Sequence, residues 1–376
     1  MRRLTRRELV YTAAIGAGAA AGGVGIHFAL GGRRRAVMPA TPTLELLRVD
    51  ARRTGFVGAL SGEPFRAWGF NWGGPGAYRD LGLVRQRFAE MRALGANTVR
   101  VHLQFGDLMQ SPTRASGREL AHIASIVDAA ERERIYLDIS GNEVWLPASA
   151  PAWYGRLSEA GRWEAQAAYW SAVARVCAPS PAVFCYDLLS EPIVGDGLSP
   201  GDWYTGKFGG YFFGQRISLD LAGRTRDEVA RAWTAQLAAA VRAHDQRHLI
   251  TVGMVPNMVA SGFHAGAVAP QLDFLAVHLY PRSGRAVQSV DVVKQLAATG
   301  KPLLVEETYP LWADAPTVER FILATRPYAA GWLGFYLPQA LDRREGAGAE
   351  IAHAWLQLFR TLAPALAYTP GSGLSS

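Results

Sequence analysis

The chain has 376 residues, of which 49% are hydrophobic and 19% are charged, a composition typical of a folded globular protein and too apolar for a disordered one. Two cysteines are too few for a disulfide scaffold or a multi-cysteine zinc domain, and the single long apolar stretch excludes a polytopic membrane protein. The first 35 residues hold seven Arg and one Glu, and therefore six of the seven net positive charges, so the remainder is nearly neutral and we expect no nucleic-acid partner.

Residues 1–35 have the layout of an export signal, because basic residues precede an uncharged, Gly- and Ala-rich stretch over residues 9–32. The run TRRELV at residues 5–10 resembles a twin-arginine signal. No clear A-x-A cleavage site follows, and the apolar stretch is long enough to span a bilayer. We therefore predict an exported protein (periplasmic, extracellular or in the cell envelope) and leave both cleavage and membrane anchoring through residues 9–32 open.

The middle of the chain, residues 65–368, alternates short β-branched or aromatic runs with apolar positions at helical spacing. Residues 36–64, with three prolines, are predicted as a linker and lead-in, and residues 369–376 as a flexible Gly/Ser-rich tail. The predicted strands cover residues 65–72, 98–105, 135–141, 183–190, 248–255, 273–280, 302–308 and 331–338. The weakest predicted helix covers residues 257–270.

Eight strand–helix units in about 300 residues predict an α/β fold, a closed (β/α)8 TIM barrel. The alternative is an open, doubly wound sheet. That alternative is disfavoured because the glycines after the first strand, in GFNWGG, have the wrong spacing for a phosphate-binding loop.

Polar residues stand at the ends of several predicted strands, where TIM barrels carry their chemistry. Arg100 and His102 lie on one side of the second strand, because side chains alternate along a strand. Glu191 ends the fourth strand and Glu307 the seventh, and these strands face each other across an eight-stranded ring. Two carboxyl groups at a barrel mouth suit glycoside hydrolysis, in which one protonates the leaving oxygen and the other acts beneath the sugar ring.

Five motifs in this order, GFNW, GANTVRV, YDLLSEP, VHLYP and KPLLVEETYP, resemble the clan A glycoside hydrolases, and most of all family 5, which contains cellulases and mannanases. The resemblance covers roughly residues 56–366. It implies a retaining O-glycoside hydrolase acting on β-linked oligo- or polysaccharides by double displacement, with Glu191 as acid/base and Glu307 as nucleophile. It also matches Arg100, His278 and Tyr280 to residues around the nucleophile. No metal or cofactor is required by this chemistry.

Three positions depart from the family pattern. Ser190 stands where Asn normally holds the sugar 2-hydroxyl, and Ser140-Gly141-Asn142 replaces the strand-three His. Either Phe335 or Tyr336 replaces the strand-eight Trp. The substrate-binding residues we expect are Arg100, His102, Asn142, Ser190, His278, Tyr280, Trp72, Trp312 and Tyr336.

Several questions stay open in the sequence. The aromatic-rich loop from residue 193 to 223 either walls a sugar cleft or packs its own small core. Glu143 is expected in a solvated loop, and the alternative is a third catalytic acid. Cys177 and Cys185 are either bridged or buried thiols. We expect a monomer, and the alternative functions are a non-catalytic carbohydrate-binding barrel and an envelope-associated transglycosylase.

Overall fold

The structure is a computed structural model that describes residues 43–74, 76–208, 210–338 and 347–371. The predicted export signal, the apolar stretch at 9–32 and the last five residues lie outside the described residues. In the part of the chain that is described, no helix is both long and apolar enough to cross a bilayer.

Eight parallel strands form a closed barrel, so the predicted (β/α)8 fold is confirmed. Each strand falls within or next to its predicted range, because β-branched and aromatic runs buried on both faces leave little ambiguity. Barrel strands 1 to 8, numbered in chain order, are Ala67–Trp72, Thr98–Gln104, Tyr136–Glu143, Val183–Ser190, Leu249–Met254, Leu275–His278, Leu303–Glu307 and Gly331–Phe335.

Helices surround the barrel and bury the predicted apolar stripes, such as Val84, Phe88 and Met91 on the first. The long helices are Leu81–Ala93, Gly117–Glu133, Glu159–Cys177, Arg226–Arg242, Ala286–Ala297, Ala315–Thr325 and Ala347–Leu366. Side-chain caps begin several of them, and Thr225 forms a complete capping box with Glu228. The weakly predicted helix at 257–270 is two single turns, Met258–Ser261 and Ala265–Val268.

A small antiparallel sheet covers the bottom of the barrel, within the segment predicted as linker and lead-in. Its strands are Leu47–Val49, Phe56–Gly58 and Pro64–Phe65. The ring of Phe56 meets the rings of Phe184 and Phe274 edge-on, at centroid distances of 5.0 and 5.1 Å. Both partners lie at the N-terminal ends of barrel strands, so this sheet closes the end opposite the strand-end residues.

The long loop after strand 4 forms a β-hairpin, Tyr204–Phe208 paired with Tyr211–Ser218, which we call the mouth hairpin. Its second strand also pairs with Pro192–Val194, directly after Glu191. Below it, the buried guanidinium of Arg162 lies between the rings of Tyr154 and Trp203, 3.8 and 4.1 Å from their centroids. The hairpin is therefore fixed to the helix Glu159–Cys177.

Cys177 and Cys185 are both buried free thiols. Burial raises the pKa of both thiols, which suits inert core residues rather than reactive ones.

Candidate active site

The predicted carboxyl pair meets at the barrel mouth. Glu191 follows strand 4 and Glu307 ends strand 7, and a carboxylate oxygen of each, together with a ring nitrogen of His278, lie within 4.8 Å of one another. Glu191 adopts a left-handed backbone conformation, with φ of 50°, and its N–H donates to the carbonyl of Gly253. A non-glycine residue held in this region carries strain of about 1–2 kcal/mol, and the strained turn aims the carboxyl group into the pocket.

Arg100 organises the floor of the site and is fully buried. Its guanidinium donates to Glu307 Oε1 at 2.7 Å and to Asp187 Oδ2 at 2.6 Å. It also donates to Asn71 Oδ1 at 3.0 Å, and the Asn71 amide in turn donates to the carbonyl of Glu306 at 2.8 Å. The planar, five-donor guanidinium suits this multiple contact in a way that a lysine ammonium does not.

His278 and Tyr280 complete the surroundings of the pair. Nδ1 of His278 lies 2.9 Å from Glu191 Oε1 and 3.4 Å from Glu307 Oε2, while Nε2 lies 3.2 Å from Glu306 Oε2. The Tyr280 hydroxyl donates to Glu307 Oε2 at 2.5 Å. Each carboxylate oxygen of Glu307 thus accepts a hydrogen bond, one from Arg100 and one from Tyr280, and the two donors fix its orientation.

Burial and neighbouring charges shift the pKa of Glu191 and the pKa of His278. Burial raises the pKa of Glu191 above its ordinary value of 4.5, although His278 opposes the shift. Burial also disfavours the charged form of His278, but Glu307 and the two other carboxyl groups outweigh it and raise its pKa to about 10. A raised pKa suits a carboxyl group that gives its proton to a leaving group.

Aromatic side chains wall the pocket, whose volume is about 50 Å³. Trp145, Phe212, Phe213, Phe335 and Tyr336 line it together with both carboxyl groups. The mouth hairpin supplies two of these rings, and its Phe212 N–H donates to the carbonyl of Trp145. The hairpin therefore forms a wall beside Glu191 and does not pack away from the site.

Most of the predicted site residues lie together. His102 and Ser190 line the pocket, and the His102 ring lies 5.2 Å from that of Trp145. Tyr336 lines it as well, with its hydroxyl bonded to Glu90 at 2.6 Å, and Phe335 stacks on Tyr280 at 6.4 Å.

Three predicted residues are not brought to the pocket. Asn142 is fully buried with φ of 58°, and its amide faces the carbonyl of Leu188 at 3.5 Å. Trp72 packs edge-on against Phe88 of the first helix. The guanidinium carbon of Arg282 lies over the Trp312 ring, 5.3 Å from the ring centroid. The register shift between strands 2 and 3 explains the first case, because it turns residue 143 inward instead of 142.

Glu143 is therefore not in a solvated loop, and that prediction was wrong. Its side chain is buried, and Oε1 lies 2.8 Å from Nδ1 of His102 and 2.7 Å from the hydroxyl of Ser140. Burial opposes ionisation, but His102 and Arg100 hold the pKa of Glu143 below its ordinary value. The contact between Glu143 and His102 orients the His102 ring at the pocket wall.

Glu191, His278 and Glu307 also bring three ligand atoms close enough to hold a metal ion. Nδ1 of His278 already faces Glu191 Oε1 at 2.9 Å, and Glu307 is paired with the Arg100 guanidinium. A divalent cation would have to displace these contacts, so the donor set suits acid–base chemistry better than metal binding.

The chain matches no protein-family model. It is 25% identical over 164 residues to mannan endo-1,4-beta-mannosidase 1 of Oryza sativa subsp. japonica, a match that covers 36% of this chain and 32% of the relative. The chain thus spans about a third of the length of that curated relative.

Solved structures resemble nearly the whole barrel. The exo-beta-1,4-mannosidase Op5Man5 from Opitutaceae bacterium strain TAV5 superposes with a TM-score of 0.64 and 19% identity, over 85% of this chain and 62% of that one. A GH5_18 structure from Streptomyces cattleya in complex with Manb1-4GlcNAc superposes with a TM-score of 0.57 and 17% identity, over 80% of each chain. The chain therefore shares the closed (β/α)8 barrel fold of these enzymes. The endo-1,4-beta-mannanase from Rhizomucor miehei shares this barrel fold as well, with a TM-score of 0.58 and 18% identity over 84% of this chain and 99% of that one.

Proposed function

We propose that this protein is a retaining O-glycoside hydrolase that cleaves β-linked glycans. The observation that carries the proposal is the approach of Glu191 and Glu307, whose nearest ligand oxygens lie within 4.8 Å. Retaining glycosidases hold their carboxyl groups about 5–5.5 Å apart, whereas inverting enzymes leave about 6.5–9.5 Å for a water molecule. The short separation therefore supports direct attack on the sugar by one of the two groups.

In the proposed mechanism Glu307 attacks the anomeric carbon while Glu191 transfers its proton to the departing oxygen. A covalent glycosyl–enzyme ester forms at Glu307, and Glu191 is left as a carboxylate. Glu191 then removes a proton from water, the hydroxide attacks the anomeric carbon, and the ester bond to Glu307 breaks with retention of configuration. The raised pKa of Glu191 and the donors to both oxygens of Glu307 support these separate roles.

For the substrate we propose β-1,4-linked mannosides, because the similar proteins are named for activity on mannan or mannosides. The Trp145 and Phe212 rings line the pocket together with both carboxyl groups, and aromatic faces stack well on pyranose rings. Assays on a panel of β-mannans, β-glucans and aryl glycosides test which sugar the protein prefers. Separation of the products by length distinguishes cleavage at chain ends from cleavage within chains.

The decisive experiment compares Glu307→Ala and Glu191→Ala with Glu164→Ala, a control at an exposed position on a surface helix. Both site variants should lose at least about 100- to 10,000-fold in kcat, with Glu191→Ala least affected on aryl glycosides whose leaving groups need no proton. Turnover at the control's level by either folded site variant would reject the roles.

Ser190 favours one other candidate, a barrel that binds glycans without cleaving them, since this residue replaces the usual Asn beside Glu191. Calorimetric binding of mannooligosaccharides without any released sugar would support it. The Ser190→Asn variant tests the same residue, because a large gain in rate would identify a weakened but working active site. Adding acceptor sugars to the reaction separates transglycosylation from hydrolysis.

We also propose that residues 1–35 direct export through the twin-arginine route and that the folded barrel is a monomer. Replacing Arg6 and Arg7 together by Lys should retain the precursor in the cytoplasm. Fractionation of cells expressing the full chain tests this, and it also separates a cleaved signal from an anchored form. Elution of the purified protein at twice the monomer mass would contradict the expected oligomeric state.

A further inference from the structure

A second layer of acidic side chains lies beneath the catalytic pair. Asp138 on strand 3, Asp187 on strand 4 and Glu306 on strand 7 are all fully buried. The cations that face this layer are Arg100 and His278. With Glu307 above it, the layer brings four carboxyl groups against these two cations, and an unpaired buried carboxylate is strongly disfavoured.

The hydrogen bonds show which acids are satisfied as anions. Asp187 accepts from the Arg100 guanidinium at 2.6 Å and from the Gly253 N–H at 2.8 Å. Glu306 Oε2 faces Nε2 of His278 at 3.2 Å and the Arg100 guanidinium at 3.6 Å. Both groups therefore have donors that stabilise a negative charge.

Asp138 has no such donors. Among the described residues, neither of its oxygens accepts a hydrogen bond from a nitrogen or hydroxyl group, and Glu306 Oε1 lacks a donor as well. Instead the two carboxyl groups face each other, and the Cys185 thiol also approaches Asp138. Two carboxylates cannot bond without a proton, and a single shared proton satisfies these buried oxygens.

The proton belongs on Asp138, because Glu306 has two cationic neighbours at short range. Burial raises the pKa of Asp138 well above its ordinary value, and the nearby charge of Glu306 adds to the effect. Burial opposes ionisation of Glu306 too, but Arg100 and His278 hold its pKa below the ordinary value. The Asp187 carboxylate faces both groups and disfavours a further negative charge.

We infer that Asp138 is a positioning residue, a neutral acid that donates to Glu306 and through it fixes His278 against the catalytic pair. Because Asp138 holds the Glu306 carboxyl group in place, Nε2 of His278 has a fixed acceptor, and Nδ1 faces Glu191 at 2.9 Å. A ring flip would place carbon atoms where these two nitrogens lie, and both contacts would be lost. The inference rests on the proposed function, because it concerns how Glu191 is held for proton transfer.

The test compares Asp138→Asn and Asp138→Ala in the full-length protein through the pH dependence of kcat/KM. Asn is isosteric, neutral and still a donor to Glu306, so it should keep activity within about threefold and leave both limbs of the profile unmoved. Ala removes the donor, so kcat/KM should fall roughly 10- to 100-fold. Its alkaline limb should also move to higher pH, because His278 no longer lowers the pKa of Glu191.

Opposite outcomes overturn the inference. If Asp138 were ionised, Asp138→Asn would remove a buried negative charge and move the alkaline limb to lower pH. If Asp138 only supported packing, Asp138→Ala would lower the melting temperature and leave the limb where it is.

An infrared measurement keeps the test independent of activity, so that failure of the proposed function is distinguishable. In Glu191→Gln protein at neutral pH, the carbonyl stretch of a buried, protonated carboxyl group should be present, and Asp138→Asn added to that background should remove it. If the Glu191→Gln protein shows this band but the parent protein hydrolyses no glycan, the function is refuted and the shared proton is kept. A Glu191→Gln protein without the band would refute the shared proton.

Discussion

Tyr280→Phe should slow the release of the sugar from Glu307 more than its attachment. The lost hydroxyl donates to Glu307 Oε2 at 2.5 Å, and a hydrogen bond to a charged group contributes about 1.5–3 kcal/mol. Glu307 regains its charge as the ester breaks, so the missing donor matters most in that step. We expect kcat to fall roughly 10- to 150-fold, KM to fall with it, and a burst of the first product to appear.

Tyr309 provides the matched control for this experiment. Both tyrosines contact the ring of Phe335, at centroid distances of 6.4 Å for Tyr280 and 6.1 Å for Tyr309. The Tyr309 hydroxyl is buried without a hydrogen-bond partner among the described residues, so Tyr309→Phe should leave kcat unchanged and raise the free energy of unfolding by up to ~1 kcal/mol. Rapid-quench kinetics on an aryl mannoside measures both variants, and a Tyr280→Phe enzyme within twofold of the parent would refute the reasoning.

Three further predictions follow from the same geometry. In Gly253→Ala the new Cβ would lie 2.7 Å from Glu306 Oε2, so the network must shift and kcat/KM should fall roughly 100-fold; an unchanged rate would contradict the packing. Arg162→Lys should lower the free energy of unfolding by about 2–4 kcal/mol in urea titrations, because an ammonium cannot stack between two rings, while exposed Arg175→Lys on the same helix should change it by less than about 0.5 kcal/mol. Glu191 must be protonated to act, and burial raises its pKa, so the alkaline limb of kcat/KM should lie above pH 4.5 and vanish in Glu191→Ala.

The barrel was predictable because its strands are buried on both faces and read as continuous apolar runs. Polar residues at the ends of such runs, among them Arg100, Glu191 and Glu307, were recognisable for the same reason. The bottom sheet could not be predicted, because its strand Phe56–Gly58 is only three residues long. This strand lies among prolines, glycines and charged residues that predict a loop.

The acids beneath the site were missed although the sequence carries a signal for them. Asp138 and Asp187 each interrupt an apolar strand, in YLDIS and CYDLL, and a charged residue in such a run requires a buried partner. The partner comes from a distant strand, so the pairing needed the closed ring. The side chain of Asn142 was misplaced because a register shift changes the inward-facing position, and alternation counted along one strand cannot detect it.

The bottom sheet also determines how the protein can be handled. Phe56 closes the N-terminal ends of the barrel strands, so residues 43–65 approach the barrel from the end away from the pocket. A fusion partner, affinity tag or solid support attached directly to this sheet therefore begins at the barrel end opposite the pocket, and the proposed glycan substrate can still reach the mouth. Attachment through the mouth hairpin would have the opposite effect and obstruct substrate entry.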